Sequence, residues 1–278
     1  MSDTVTRSLA HWSEARRSGM EAFYRLATKD YRHLAESTDW AAWLSDRADK
    51  AGDRALRLLD VACGSGKFPN ALIEHAGIAE AGLKRIDYDL LDPAAFSVAE
   101  AKAALKPPFY PAGEHVCTLQ DFDGADGSYD IVWATHALYA LPRDELEAGL
   151  KRFVQAMGAD GCGFIAHASE ASHYLTFYRA YLNGFGITDS EPYTSGEDLV
   201  AVLKKLGVAF QAREITYENG APDSERGAVE GYLQRCIFDD SVTLDALMAN
   251  PVTGPYLKGC LQGDDWRFAQ TVTLITIQ

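Results

Sequence analysis

The fold of this chain is decided by the segment Leu58-Leu59-Asp60-Val61-Ala62-Cys63-Gly64-Ser65-Gly66. Its first six residues are apolar except for Asp60, which is typical of a strand buried in a parallel sheet. Gly64 and Gly66 allow a sharp turn and a close approach of the backbone to a ligand. The helix predicted after the turn would present its first N–H groups there. The segment therefore predicts a ligand site at the carboxyl edge of a doubly wound sheet.

Strands and helices alternate downstream of this turn. Strands are predicted at residues 83–91, 116–119, 129–134 and 163–167, whereas 106–111, with three prolines, is expected to be a loop. Helices are predicted over 94–105 and 146–157. This alternation predicts an α/β fold, a Rossmann-like doubly wound sheet that is mostly parallel. The last strand, 271–277, is expected to be antiparallel and at or near the edge.

The length of 278 residues fits a single domain that carries helical additions. Apolar residues recur at helical spacing near the amino end, so residues 1–55 are predicted to form an N-terminal helical lid. Residues 170–200 and 225–262 are predicted to be helical insertions. The whole chain, 1–278, is expected to be one ligand-binding domain.

Composition excludes several classes of protein. The net charge of −14 is spread over both halves, and no basic face for nucleic acid is visible. No apolar run approaches the roughly 20 residues of a membrane span, and the first 20 residues show no signal peptide. The five cysteines form no Cys-x-x-Cys pair, and no residues have metal-ligand spacing, so no metal is expected. The prediction is a cytoplasmic protein with a small-molecule partner, and its oligomeric state stays open.

Two acids accompany the glycine turn. Asp60 lies inside the first strand, and Asp92 lies at the end of the next, where a carboxylate can accept both hydroxyls of a ribose. No third glycine follows Gly66, which disfavours the dinucleotide pattern Gly-x-Gly-x-x-Gly.

The pattern Asp-x-Ala-Cys-Gly-Ser-Gly resembles motif I of class I methyltransferases that use S-adenosylmethionine (SAM). The resemblance implies SAM as the cofactor, with Asp92 at the ribose and Asp121-Phe122 at the adenine. Ala62 stands where that family usually has glycine. The cofactor-binding residues that it implies are Asp60, Ala62, Gly64, Gly66, Asp92, Asp121, Phe122 and His136.

A narrower resemblance is to the histamine N-methyltransferase family. It rests on Leu90-Leu91-Asp92-Pro93, His136-Ala137-Leu138-Tyr139, the segment 193–199 (Tyr-Thr-Ser-Gly-Glu-Asp-Leu) and the segment 270–274 (Gln-Thr-Val-Thr-Leu). It implies metal-free, in-line methyl transfer to an amine or imidazole nitrogen. The substrate-binding residues that it implies are Phe23, Tyr139, His173, Phe177 and Gln270. His136 and His173 are the candidates to hold or remove the proton of the attacking nitrogen.

Other interpretations remain open at this point. His136 could be a hydrogen-bonded core histidine, and His173 and Phe177, four residues apart on one helical face, could serve lid packing alone. Proteins that resemble class I methyltransferases can also cyclise SAM to azetidine-2-carboxylate and methylthioadenosine. A third possibility is a protein that binds SAM without turnover.

Overall fold

The computed structural model describes residues 6–8, 10, 17–124 and 127–278 of the chain, and for residues 17–25 and Ala140 it describes the backbone alone. The described residues form one eight-stranded sheet. Its strands are β1 (Leu56–Val61), β2 (Ile86–Leu91), β3 (Phe109–His115), β4 (Tyr129–Thr135), β5 (Met157–Ala168), β6 (Phe210–Pro222), β7 (Leu261–Gln262) and β8 (Asp265–Ile277).

The order across the sheet is β3-β2-β1-β4-β5-β8-β6, and the short β7 pairs with β8. Strands β1 to β5 are parallel, whereas β8 runs antiparallel between β5 and β6. The chain order reverses between β1 and β4, which places the ligand edge at the carboxyl ends of these two strands. The predicted Rossmann-like class, with an antiparallel C-terminal strand near the edge, is confirmed.

From residue 17 onward, ten helices of the described chain surround the sheet. They are α1 (Arg17–Glu36), α2 (Trp40–Ala51), α3 (Lys67–His75), α4 (Ala95–Ala104), α5 (Leu146–Ala156), α6 (His173–Gly184), α7 (Gly196–Lys205), α8 (Arg226–Ile237), α9 (Leu244–Ala249) and α10 (Thr253–Cys260). Helix α7 begins at a capping box in which Ser195 and Asp198 bond each other's backbone N–H groups. Single 3₁₀ turns lie at Leu138–Ala140 and Asp223–Glu225.

The third strand lies earlier in the chain than the sequence predicts. Residues 116–119 follow β3 and are not in a strand, and the expected loop 106–111 supplies the start of β3 instead. Because β3 is the edge strand, only one of its sides pairs, and Pro111 is tolerated opposite Tyr88. The prolines misled the prediction because proline is excluded from central strands but not from edges.

The core has three parts. Apolar side chains of alternate sheet residues fill one cluster on each face of the sheet. A third cluster lies above the carboxyl edge, where α1, α6, α8, α9 and α10 pack together with the long ends of β6 and β8. We call this third part the lid. It contains many aromatic residues, among them Tyr178, Tyr181, Tyr193, Tyr232 and Phe268.

Candidate active site

The turn after β1 is shaped for a ligand on one side and for packing on the other. Gly64 and Gly66 have φ of +51° and +69°. A Cβ on Gly64 would meet no protein atom within 4 Å, whereas one on Gly66 would lie 3.2 Å from the Cα of Ala101 in α4. Gly64 thus borders open space, and Gly66 lets the turn pack closely on a helix.

Ala62 also takes a left-handed conformation, with φ of +53°. Alanine adopts such a φ at a cost of roughly 1 kcal/mol, because its Cβ approaches the backbone. This explains why glycine is the usual residue at the position. Strain of this kind is retained where the surrounding structure fixes the backbone, most often at functional sites.

Asp92 fixes the turn against the end of β2. Its two carboxylate oxygens accept hydrogen bonds from the N–H groups of Gly64 (3.1 Å) and Ala94 (2.9 Å). Each oxygen keeps a second lone pair, so the carboxylate can still receive hydroxyl donors of a ribose. Burial raises the pKa of Asp92.

Asp60 lies within the sheet. Its carboxylate accepts a hydrogen bond of 2.7 Å from the hydroxyl of Tyr88, and it is buried. Burial raises the pKa of Asp60 to about 7, while the bond from Tyr88 acts in the opposite direction. The structure therefore gives Asp60 an internal partner below the ligand edge.

The two residues of the predicted adenine segment differ in exposure. Asp121 is exposed and accepts a hydrogen bond from the hydroxyl of Thr118 (2.8 Å). Phe122 is buried, with the edge of its ring against His115 at 4.9 Å between centroids. Of the pair, only Asp121 presents its side chain at the surface.

Two further polar atoms fit a cofactor at this turn. Ser65 Oγ and Asn70 Oδ1 are buried and have no hydrogen-bond partner among the described residues. The amide nitrogen of Asn70 bonds the carbonyl of Gly66, which aligns the start of α3 with the turn. Buried polar groups in native proteins are almost always satisfied, so these two atoms indicate a polar ligand.

His136 comes directly after β4, at the ligand edge. It has a φ of +52°, and its backbone N–H bonds the carbonyl of Ala166 on β5. The edge of its ring faces Tyr31 of α1, with 5.8 Å between centroids. Its Nε2 is buried without a partner among the described residues, and burial lowers its pKa, so the ring is neutral at pH 7. The strained backbone and the free nitrogen distinguish it from a satisfied core histidine.

The other predicted substrate residues lie in the lid. Tyr139 is half-buried and stacks on Phe238 at 6.2 Å, whereas His173 and Phe177 are fully buried and stack on each other at 5.3 Å. His173 Nδ1 bonds the hydroxyl of Tyr256 (2.8 Å), and burial lowers its pKa to about 3. These contacts place both rings inside the lid, and His173 Nε2 is buried without a hydrogen-bond partner among the described residues. The side chain of Phe23 lies outside the described part of the chain.

Gln270 of β8 is already bonded at both ends of its amide. Its oxygen accepts a short hydrogen bond from Ser172, and its nitrogen donates to the hydroxyl of Tyr232 at 2.9 Å. Gln270 therefore links β8 to Ser172, at the start of α6, and to Tyr232 of α8.

Asp30 of α1 was missed by the sequence analysis. Its side chain is 3% exposed, and it accepts hydrogen bonds from Tyr174 (2.6 Å) and from the amide of Asn219 (2.7 Å). No lysine or arginine of the described chain forms an ion pair with it. It follows Leu26 and Ala27 by four and three residues, and this position on the apolar stripe was the available signal.

No group of three or more His, Cys, Asp or Glu that could hold a metal ion occurs among the described residues. Within the same ranges, no helix is both long and apolar enough to span a membrane.

Comparisons with known proteins bear on this site. Residues 59–162 match the model of a methyltransferase domain, which spans β1 to the start of β5 and so includes the glycine turn, Asp92 and His136. No curated protein sequence matches the chain significantly.

Solved methyltransferase structures share the fold at low sequence identity. A loganic acid methyltransferase bound to S-adenosylhomocysteine (SAH) has a TM-score of 0.56 at 12% identity, over 96% of each chain. The magnesium protoporphyrin IX methyltransferase of Synechocystis PCC 6803, also with SAH, has a TM-score of 0.55 at 14% identity, over 97% of this chain and 96% of that one. A plantazolicin methyltransferase with SAH has a TM-score of 0.51 at 12% identity, over 99% and 95%.

The matched segment and the shared fold agree on the class: residues 59–162 are similar to a methyltransferase domain, and the fold is that of class I methyltransferases. SAM is the cofactor of this class. The similarity to histamine N-methyltransferases remains a prediction from the sequence motifs.

Proposed function

We propose that this protein transfers the methyl group of SAM to an amine or imidazole nitrogen of a small, cationic molecule. The observation that carries this proposal is Asp30, a buried carboxylate with no basic partner in the described chain. A buried charge is costly unless it is paired, so the cationic group of a ligand would supply the counter-charge that Asp30 lacks in the described chain.

The surroundings of Asp30 suit an organic ammonium group. Tyr174, Tyr217 and Tyr232 are close enough to Asp30 that its charge raises their pKa values. The faces of aromatic rings attract cations, and hydroxyl oxygens accept their N–H groups. Asn219 Oδ1 is buried and has no partner among the described residues, which adds one more acceptor.

Asp30 also lies near the ligand edge of the sheet. The neighbouring residue, Tyr31, contacts the ring of His136, and the charge of Asp30 raises the pKa of that histidine against the effect of burial. A cation held by Asp30 would therefore be close to the end of β4. There, the glycine turn and Asp92 are proposed to hold SAM, which supplies an activated methyl group when bound.

The residues then have distinct roles in the proposed reaction. Asp30 and its tyrosines bind and orient the acceptor, and the packed lid excludes water. His136, neutral at pH 7, can take a proton from the acceptor nitrogen through Nε2, because a nitrogen attacks only through a free lone pair. Holding the two reactants in line can lower the barrier by roughly 7–11 kcal/mol in favourable cases.

Mass spectrometry of the purified protein with SAM tests the reaction type. The protein is incubated with SAM alone and then with a panel of small amines and imidazoles. SAH that appears only when an acceptor is present supports methyl transfer. Methylthioadenosine that forms without an acceptor would favour cyclisation, and binding of SAM without any product would favour a non-catalytic protein.

The substitution Asp30→Asn tests the proposed acceptor site. It keeps the shape of the side chain but removes the charge, so kcat/KM for a cationic acceptor should fall by at least about thirtyfold. The thermal midpoint without acceptor should change little, because the removal of an unpaired buried charge offsets the loss of one of the two accepted hydrogen bonds.

Glu36→Gln is the matched control. Glu36 is an exposed acid on the same helix, paired with Arg32 four residues earlier, and its replacement should leave kcat/KM unchanged. A lower thermal midpoint in Asp30→Asn with unchanged kinetics would assign Asp30 a purely structural role.

A further inference from the structure

Three polar residues lie on neighbouring segments of the chain at the ligand edge. Thr135 of β4 pairs with Ala166 of β5, and His136 and His167 are the next residues of the two segments. The backbone N–H of His136 bonds the carbonyl of Ala166, which holds His136 beside β5. His167 in turn pairs with Thr273 of β8. We call His136, His167 and Thr273 the edge row.

His167 has a defined tautomer. Its Nε2 lies 2.9 Å from the backbone carbonyl of Thr194, and a carbonyl can only accept a hydrogen bond. Nε2 therefore carries the proton. The ring is neutral at pH 7, because burial lowers its pKa to about 4, and Nδ1 is consequently an acceptor with a free lone pair.

The free nitrogen of His167 has no donor. His167 is 1% exposed, and its Nδ1 has no hydrogen-bond partner among the described residues. The same is true of His136 Nε2 and of the hydroxyl of Thr273, the other two polar groups of the row. The bond to Thr194 gives Nε2 a structural role, but it does not explain why Nδ1 is buried without a hydrogen-bond donor.

Charged and titratable groups near the ring do not supply the missing donor. Its electrostatic neighbours are His136, from β4, and Asp198, from α7. The carboxylate of Asp198 already receives the backbone N–H of Ser195 and a nitrogen of Arg143. The donor for Nδ1 must come from outside the described side chains.

We propose that His167 is a further substrate-positioning residue, whose Nδ1 accepts a hydrogen bond from a neutral N–H or O–H group of the methyl acceptor. This inference rests on the proposed function and deepens it. The acceptor would carry two recognised groups, a cationic nitrogen at Asp30 and a neutral donor at the edge row. A simple alkylamine meets only the first requirement.

Two substitutions separate the two sides of the ring. In His167→Gln the side-chain amide nitrogen can replace Nε2 and keep the bond to Thr194, but the acceptor at the δ position is lost. In His167→Asn the side-chain oxygen can replace Nδ1, but the bond to Thr194 is lost. The pair therefore distinguishes ligand recognition from support of the Thr194 backbone.

Nitrogen NMR of protein labelled with ¹⁵N-histidine and saturated with SAH provides the direct measurement. The probes are imidazole, which has an N–H donor, and 1-methylimidazole, which has none. At alkaline pH both probes are neutral. Imidazole should shift the resonance of the unprotonated His167 nitrogen towards that of a hydrogen-bonded acceptor, and 1-methylimidazole should leave it in place.

The variants should then differ in opposite ways. His167→Gln should bind imidazole about tenfold more weakly, the effect of one lost hydrogen bond, with a thermal midpoint near that of the wild type. His167→Asn should bind imidazole within about threefold of the wild type, with a lower thermal midpoint.

Two results would overturn the inference. One is a His167 resonance that responds to neither probe, or equally to both, as expected if a trapped water satisfies the nitrogen. The other is equal imidazole affinity in the two variants. Either result leaves the proposed function intact if the wild type still methylates an acceptor. Conversely, an imidazole-specific shift in a protein without transfer would retain the edge row as a binding site and refute only the reaction.

Discussion

The glycine turn and the lid form their parts of the site in opposite ways. In the turn, three residues within five positions, Ala62, Gly64 and Gly66, take left-handed backbone conformations, so the local backbone sets the shape of this part of the site. In the lid, side chains that are far apart in the chain meet. Asp30 bonds Tyr174 and Asn219 across separations of 144 and 189 residues.

This difference has a physical consequence for specificity. The glycine turn faces a cofactor that is the same in every reaction, so proteins with different acceptors can share such a turn. The shape and charge of the lid depend on individual side chains, so substitutions there can adapt it to a new acceptor without loss of the cofactor site. Disruption of the lid should therefore impair recognition of the acceptor more than binding of the cofactor.

Phe177→Ala should show this separation with the largest effect. Phe177 is 0% exposed and packs against the rings of both His173 and Tyr256, so its truncation should lower the free energy of unfolding by about 3–5 kcal/mol. Calorimetric titration should find the affinity for SAM within about threefold of the wild type, since the lid and the turn are separate clusters. Phe177→Leu, a milder change, should retain the SAM affinity and most of the stability. A parallel loss of SAM affinity in both variants would contradict the comparison.

Asp60, in the strand that leads to the glycine turn, should make the free energy of unfolding of the protein depend on pH. Its folded pKa of about 7 exceeds the ordinary value of 3.8, so the folded protein keeps a proton that the unfolded chain has lost. Stability from this group should therefore fall as pH rises from about 4 to about 7 and level off above. Asp60→Asn should flatten this slope and recover about 2–4 kcal/mol at pH 8. Urea denaturation at several pH values from about 4 to about 8 measures the free energy of unfolding of both proteins.

The control for the pH experiment is Asp53→Asn, at a fully exposed acid in the loop before β1. Its pH profile should coincide with that of the wild type. A slope that persists in Asp60→Asn would assign the dependence to other groups.

The two glycines of the turn should respond differently to alanine. Gly66→Ala combines a φ of +69° with a 3.2 Å approach to α4 and should cost about 1–3 kcal/mol of stability. Gly64→Ala has open space around its Cβ, so it should cost only about 1 kcal/mol of stability. Its main effect should be weaker SAM binding. Equal SAM affinities in the two variants would place the ligand on the other side of the turn.

Ala62→Gly should have the smallest effect. Relief of the strained φ should raise the free energy of unfolding by up to about 1 kcal/mol, partly offset by the greater freedom of glycine in the unfolded chain. A thermal scan in the presence and absence of SAM checks this. A lower thermal midpoint would show that the Cβ of Ala62 makes a stabilising contact that outweighs the strain.

The sequence by itself determined the fold class, the glycine turn, Asp92 and the place of His136. These features are local: a buried strand must be apolar, a left-handed turn favours glycine, and a residue at the end of a parallel strand lies at the ligand edge. The sequence misplaced β3. An edge strand tolerates proline, but whether a strand lies at the edge depends on the whole sheet and not on the segment itself.

Only the tertiary structure showed the side-chain contacts on which the proposed acceptor site depends. It showed that Gln270, His173 and Phe177 are engaged within the lid, that Phe122 is in the core, and that Asp30 is buried without a basic partner in the described chain. It also paired His167 with Thr273 and held His136 beside β5 through its bond to Ala166. Whether these polar atoms are satisfied depends on partners from 38 to 189 residues away in the chain, and no local pattern records those partners.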